Sequence, residues 1–136
     1  MENNWKFTHL GVVVRDMEKS VKYFQSIGAD VSQPARVHPV SKNILRFIKL
    51  GDLSIELVQP VEPPEGHTPA RDFFNKRGQG MFHLGYHVKS YKKEEARMLE
   101  TGATIVLSAK RPYAEVAYFE PPEAGANVIV ELTEER

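Results

Sequence analysis

An internal repeat is the feature of this chain that most constrains its fold. The segment Phe7–Val14 recurs as Met81–Val88, displaced by 74 positions, and the displacement aligns His9 with His83. The same register persists through the turn and helix that follow each copy. A solenoid needs three or more copies. Two copies in 136 residues therefore predict a single domain built of two similar modules.

A second, shorter pair of similar segments lies at the end of each half. Ser54–Leu57 ends the first copy and Val128–Leu132 ends the second, one residue out of step with the main repeat. Each half therefore supplies one His near its first strand and one Glu near its last. The four repeated polar residues are His9, Glu56, His83 and Glu131.

The composition excludes several classes of function. The 18 basic and 18 acidic residues balance, without a long run of either sign, so nothing indicates a nucleic-acid partner or an anionic membrane surface. The chain has no cysteine, which excludes disulfides, thiolate nucleophiles and sulfur-rich zinc sites. No stretch approaches the ~20 apolar residues of a membrane helix, and the N-terminus lacks an apolar signal core. We expect a soluble cytoplasmic protein.

The pattern of apolar residues, turns and caps predicts two β-α-β-β-β modules. Asp16 and Ser90 stand at equivalent places as helix N-caps, and Thr68 caps a short helix that begins at Pro69. Strands are predicted near residues 7–15, 43–50, 53–58, 81–88, 104–107, 115–119 and 127–133, with a short strand in 29–40. Helices are predicted over 16–28, 69–76 and 91–100. The predicted domain is 1–136, with module 1 at about 5–60, a linker and short helix at 61–79, and module 2 at about 80–136. The predicted fold class is α+β, with a curved mixed sheet or half-barrel around a cleft.

Strand periodicity decides the face on which each Glu lies. Alternate side chains of a strand point to opposite faces of the sheet. The apolar residues that we expect to pack on the helices are Leu53, Ile55, Leu57, Val128, Val130 and Leu132. Glu56 and Glu131 therefore lie on the faces away from their helices.

These four residues have an ordinary interpretation and a functional one. Either Glu alone is typical of a solvent-facing charge, and either His of a satisfied core residue. Their recurrence on matching faces of both copies favours a common role, because two curved sheets that close on each other would bring them to one cleft. Partly buried carboxylates and imidazoles cost several kcal/mol each unless a cation compensates them. The pattern therefore predicts a divalent ion, namely Co, Ni, Zn, Mn or Fe, with the ligands His9, Glu56, His83 and Glu131.

Paired β-α-β-β-β modules with these ligands resemble the vicinal oxygen chelate superfamily, which contains glyoxalase I, bleomycin-resistance proteins, extradiol dioxygenases and methylmalonyl-CoA epimerase. Three stretches resemble the epimerase branch most: Ile55–Pro60, Ala70–Gly80 and Val128–Leu132. The resemblance implies a metal-dependent isomerase that removes the proton alpha to a thioester through a metal-stabilised enolate. It implies that Glu131 is the catalytic base as well as a ligand. It also implies a small-molecule substrate such as an acyl-CoA, and a homodimer.

Other members of the superfamily supply the alternatives. A glyoxalase I-type lyase, forming lactoylglutathione, would use the same four ligands. A non-catalytic small-molecule binding protein of the resistance type commonly lacks ligands, and this chain retains all four. An extradiol dioxygenase uses two His and one carboxylate, which would leave Glu56 without a role.

Several positions depart from the epimerase pattern. Phe82 stands where epimerases usually have a second His, the loop Lys110–Tyr113 is shortened, and Glu120 replaces the His of a His-Pro pair. No Asp or Glu occurs between residues 31 and 50, where a two-base epimerase takes its second acid. His38 is the remaining titratable residue there with a pKa near neutrality.

A few further side chains are candidates for lining the site. His87 shares a strand face with His83 and is either a hydrogen-bond partner of the site or a packing residue. Tyr113, Tyr118 and Phe119 are candidates for the mouth of the pocket.

Overall fold

The computed structural model describes residues 3–39, 41–61, 68–110 and 115–135. Within these residues the chain forms eight strands and three helices, so the predicted α+β class is confirmed. The strands are β1 Lys6–Val13, β2 Arg36–Val37, β3 Ile44–Leu50, β4 Leu53–Gln59, β5 Gly80–Val88, β6 Thr104–Lys110, β7 Glu115–Glu120 and β8 Ile129–Glu134. The helices are α1 Met17–Ser26, α2 Pro69–Arg77 and α3 Tyr91–Glu100, with one 3-10 turn at Glu123–Gly125. None of the helices in the described ranges is long and apolar enough to cross a membrane.

The order of elements repeats as the sequence predicted. β1-α1-β2-β3-β4 and β5-α3-β6-β7-β8 are two β-α-β-β-β modules, with α2 between them. The chain divides into two compact units. The N-terminal unit is His9–Phe82, and the C-terminal unit is the chain from His83 together with the chain up to Thr8. The prediction of a single domain with its boundary in 61–79 stays a prediction.

In the N-terminal unit, the strands lie in the order β2-β3-β4-β1. β4 runs parallel to β1, whereas β2, β3 and β4 are antiparallel neighbours. Asp16 is the N-cap of helix α1, and its carboxylate accepts a hydrogen bond from the Lys19 N–H at 3.1 Å. The helix ends before Gly28, whose φ of +102° is a left-handed conformation that glycine adopts readily.

The core of this unit forms between α1 and the sheet. Met17 and Val21 of the helix cluster with Val14 and with two residues of β4, Ile55 and Leu57. The alternation of side chains along the strand predicted that these β4 residues contact the helix, so the assignment of the strand face is confirmed. Burial of such apolar side chains contributes about 1.5–3 kcal/mol each.

In the C-terminal unit, the strands lie in the order β5-β8-β7-β6. β5 and β8 are parallel, and β8, β7 and β6 are antiparallel neighbours. Helix α3 starts where Ser90 accepts a hydrogen bond from the Lys93 N–H at 3.4 Å. The core contains Val88, Tyr91, Ala103, Ala117, Phe119 and Leu132.

The first residues of the chain pack on the second module, which the sequence pattern did not indicate. The Trp5 ring lies 5.5 Å from the Tyr86 ring, and Lys6 forms an exposed ion pair with Glu135 at 3.3 Å. The Thr8 hydroxyl donates a hydrogen bond to the Gly85 carbonyl at 3.0 Å. These contacts explain why β1 begins in one compact unit and ends in the other.

Some predicted features fall on positions that the structure leaves out. Most of the linker, which includes His67, lies in residues 62–67, outside the described ranges. The shortened loop that includes Tyr113 lies largely in residues 111–114, also outside them.

Candidate metal centre

His9 and Glu56 face each other within the N-terminal unit. His9 lies on β1 and Glu56 on the parallel neighbour β4, and each residue is only 8% exposed. The His9 Nε2 atom is 3.9 Å from Glu56 Oε1. The pair is therefore a buried imidazole beside a buried carboxylate.

His83 and Glu131 form the equivalent pair in the C-terminal unit. His83 lies on β5 and Glu131 on the parallel neighbour β8, with exposures of 2% and 8%. The His83 Nε2 atom is 4.0 Å from Glu131 Oε2. The structure thus pairs His9 with Glu56 in one unit and His83 with Glu131 in the other.

The parallel ladders explain why the pairs match. Gly11 is the ladder partner of Glu56, and Gly85 is the ladder partner of Glu131. The His in each unit stands two residues before that glycine, on the same face of its strand. Because glycine has no side chain, no side chain of the ladder partner stands beside either carboxylate on that face.

Burial excludes the interpretation of both Glu residues as solvent-facing charges. A carboxylate removed from water costs several kcal/mol unless it gains a compensating charge. On the opposite face of β8, Leu132 is fully buried and Val130 packs against the same core. The predicted face of each β8 side chain is therefore right, but the face that carries Glu131 is buried as well.

The distances within each pair fit two ligands of one ion. Metal–nitrogen and metal–oxygen bonds of about 2.0–2.2 Å place two ligand atoms between roughly 3.0 Å apart at a right angle and roughly 4.2 Å apart on opposite sides. The Nε2–Oε distances of 3.9 and 4.0 Å lie in this range and are longer than a hydrogen bond. Nitrogen and oxygen donors suit Zn, Ni, Co, Mn or Fe. The residues present therefore fit a divalent ion.

An aromatic ring accompanies each pair. The Phe47 ring meets the His9 ring edge-on, with 5.5 Å between ring centres and an interplanar angle of 82°. The Tyr118 ring meets the His83 ring in the same manner, at 5.1 Å and 85°. Phe47 is the antiparallel ladder partner of Glu56, and Tyr118 is that of Glu131.

Sequence reasoning missed Phe47 and did not assign Tyr118 to His83. These two aromatic residues are 71 positions apart, so the repeat at 74 could not pair them. For Phe47 a signal was available. The predicted strands 43–50 and 53–58 leave Gly51 and Asp52 as a two-residue hairpin turn, and pairing residues outward from that turn places Phe47 opposite Glu56. Tyr118 has no such signal, because the β7–β8 connection spans residues 121–128.

Other candidates have different surroundings from those predicted. Phe119 was expected at the mouth of the pocket, but that prediction is wrong: its side chain is fully buried in the core with Tyr91. Strand alternation explains the error, since the neighbouring residues Phe119 and Tyr118 point to opposite faces of β7. His38 lies in the turn before β3, where its Nδ1 accepts a hydrogen bond from the Ser41 N–H at 3.1 Å. His87 is half-buried on the strand face of His83.

Comparisons with known proteins identify the family. The sequence model for the glyoxalase/bleomycin resistance protein/dioxygenase superfamily matches residues 8–119. The chain belongs to this superfamily. The predicted resemblance to vicinal oxygen chelate proteins is thereby confirmed.

Individual relatives include several epimerases. The mitochondrial methylmalonyl-CoA epimerase of Mus musculus is 30% identical over 142 residues, covering 94% of this chain and 74% of the relative. A hypothetical protein of Bacillus halodurans has the same fold, with a TM-score of 0.77, 23% identity and coverage of 98% and 96% of the two chains. A variant of Streptomyces coelicolor methylmalonyl-CoA epimerase, solved in complex with 2-nitronate-propionyl-CoA, has a TM-score of 0.73, 16% identity and coverage of 96% and 94%. The superfamily fold thus extends over nearly the whole chain.

Proposed function

We propose that this protein is a metal-dependent epimerase of the methylmalonyl-CoA epimerase type. The observation that carries the proposal is the matched pair of buried His–Glu contacts, at 3.9 Å in one unit and 4.0 Å in the other. Sequence similarity to methylmalonyl-CoA epimerases over 94% of the chain supports this choice within the superfamily.

The proposed metal centre consists of His9, Glu56, His83 and Glu131. Two neutral imidazoles and two carboxylates would neutralise a divalent cation, and the cation would offset the cost of burying both carboxylates. Four protein ligands leave further positions of an octahedral ion open for substrate oxygens. Once bound, such an ion supplies Lewis acidity to a thioester oxygen and a carboxylate oxygen of the substrate.

The chain's own contribution to the reaction is proton transfer. We assign the base to Glu131, because a carboxylate carries two oxygens and can contact a cation with one while it accepts a proton on the other. Its burial excludes most solvent from the proton that it takes. Return of a proton to the opposite face of the same carbon inverts that centre.

The acid that returns this proton is not a carboxylate of β2 or β3, since residues 31–50 contain no Asp or Glu. His38 is the residue in that span whose reference pKa is near neutrality, and its Nδ1 accepts a hydrogen bond from the Ser41 N–H. We propose His38 as the second proton carrier.

The proposed partners are an acyl-CoA substrate and a second copy of the chain. The homodimer stays a prediction, as does the absence of nucleic-acid and membrane partners. The cytoplasmic location also stays a prediction, and the mouse relative is named as mitochondrial.

Exchange of the substrate proton tests the proposal directly. The protein loaded with Co²⁺ is incubated in deuterated water with methylmalonyl-CoA, and deuterium at the alpha carbon is followed by NMR and mass spectrometry. We expect exchange at both epimers, and loss of exchange in the metal-free protein. A parallel assay with glutathione and methylglyoxal measures lactoylglutathione. Lactoylglutathione formation without exchange of methylmalonyl-CoA would replace the epimerase by a lyase.

A further inference from the structure

The two His–Glu pairs share an arrangement that extends beyond the proposed ligands. In each unit, an aromatic side chain on the antiparallel strand stands directly across from the Glu and meets the His ring edge-on. The interplanar angles are 82° for Phe47 with His9 and 85° for Tyr118 with His83. The same geometry therefore recurs at equivalent ladder positions of both units, each time against the proposed His ligand.

An edge-on ring limits the rotation of its neighbour. An imidazole on a strand can turn about two side-chain bonds, and only some orientations direct Nε2 at the Glu. The positive edge of one aromatic ring against the face of another favours a particular interplanar angle. In both units the atom that faces the carboxylate is Nε2.

We propose that Phe47 and Tyr118 are paired positioning residues, which hold the His9 and His83 imidazoles so that Nε2 faces the metal centre. This inference rests on the proposed metal site. Neither aromatic residue needs to contact substrate or ion. Hydrogen-bonding groups that orient metal ligands typically contribute 10–100-fold to metal affinity or activity, and a ring that fixes the imidazole acts on the same orientation.

The two aromatic residues differ by one hydroxyl group. This difference shows which part of the Tyr118 side chain would position the imidazole. The equivalent residue Phe47 performs the same packing without a hydroxyl, so the ring is the positioning element. Tyr118→Phe should therefore preserve the function of Tyr118, whereas Tyr118→Leu should not.

Cobalt binding by the full chain tests the inference. Co²⁺ is titrated into metal-free protein, and its visible absorption spectrum reports the geometry of its ligands as well as its affinity. We expect Tyr118→Leu and Phe47→Leu to weaken Co²⁺ binding roughly 10-fold or more and to alter the spectrum. Tyr118→Phe should stay within about threefold of the wild type with the wild-type spectrum.

Tyr86 provides a matched control. It lies on the same strand as His83 but on the opposite face, and its ring contacts Trp5 and Phe7 at 5.5 and 5.4 Å. Tyr86→Leu removes a partly buried aromatic ring without touching an imidazole. We expect it to lower thermal stability and to leave the Co²⁺ spectrum and affinity unchanged.

Each outcome supports or overturns the inference. A Tyr118→Leu protein with wild-type affinity and spectrum overturns it, as does an equal change in Tyr86→Leu. If Tyr118→Leu does not fold, Tyr118→Met, which retains more volume, is judged by the same criteria. A wild-type protein that binds Co²⁺ but does not exchange the substrate proton overturns the proposed function and leaves the positioning role to be decided by the variants. A wild-type protein that binds no Co²⁺ overturns both.

Discussion

Gly85 of β5 is the parallel ladder partner of Glu131 of β8, so the residue directly across from this buried carboxylate has no side chain. Gly11 has the same relationship to Glu56 in the other unit. Glycine in a strand interior weakens the strand by roughly 0.5–1 kcal/mol. Two glycines at equivalent positions therefore reduce strand stability in exchange for room at the site.

Filling this space should separate metal binding from fold stability. We predict that Gly85→Ala weakens Co²⁺ binding and that Gly85→Val weakens it further, to about 10-fold or more, because the added carbons lie on the strand face of His83 and across the ladder from Glu131. The thermal midpoint of metal-free Gly85→Ala should stay close to that of the wild type, because the lower conformational freedom of Ala in a strand opposes the cost of adding a carbon at a buried position. Isothermal titration and calorimetry measure the two effects. Unchanged affinity in Gly85→Val would contradict the geometric argument.

The two glutamates should differ in their effect on turnover. Glu131→Gln removes the proposed base, so we predict a loss of 10²–10⁴ in kcat that excess metal does not restore. Glu56→Gln removes only a ligand charge, and saturating Co²⁺ should restore most of its activity. Proton exchange measured over a range of metal concentrations distinguishes the two variants. Glu134→Gln, a substitution on the same strand outside the proposed ligand set, serves as the control.

Metal removal should lower the thermal stability of the protein. An ion present at 100 times its dissociation constant stabilises the folded state by about 2.7 kcal/mol. For a chain of this size that corresponds to a fall in Tm of roughly 5–15 °C after exhaustive chelation. Glu56→Gln should show a smaller fall, because it holds the ion less tightly. Identical melting curves before and after chelation would argue strongly against a metal centre.

The sequence predicted the elements of the fold because its signals are local. Asp16, Thr68 and Ser90 each cap the helix that was assigned to them, and the alternation around Glu131 gave the correct strand face. The His and Glu residues were found because the repeat aligns them within one position. Local pattern and repetition were sufficient for these features.

The features that the sequence did not predict depend on contacts between distant parts of the chain. The packing of Trp5 on Tyr86 joins residues 81 positions apart, and no local pattern indicates which strand receives the N-terminus. The pairing of Tyr118 with Glu131 depends on the length and path of the β7–β8 connection, which apolar periodicity does not determine. Burial of both faces of β8 likewise depends on what covers the sheet.

Tyr91 should make stability depend on alkaline pH. It is 4% exposed and its ring lies 6.5 Å from that of Phe119. Burial raises the pKa of its phenol above the usual value, and the carboxylates of Glu95 and Glu115 act in the same direction. The folded state therefore keeps a proton that the unfolded state releases above about pH 10, so the free energy of unfolding should fall there by up to about 1.4 kcal/mol per pH unit. Tyr91→Phe has no such proton, and urea unfolding between about pH 9 and 11 should show a shallower decline in the free energy of unfolding for it than for the wild type.

Tyr23→Phe is the control, because the Tyr23 ring is 60% exposed, and it should retain the wild-type slope. Equal slopes in all three proteins would mean that Tyr91 ionises as freely in the folded chain as in the unfolded one.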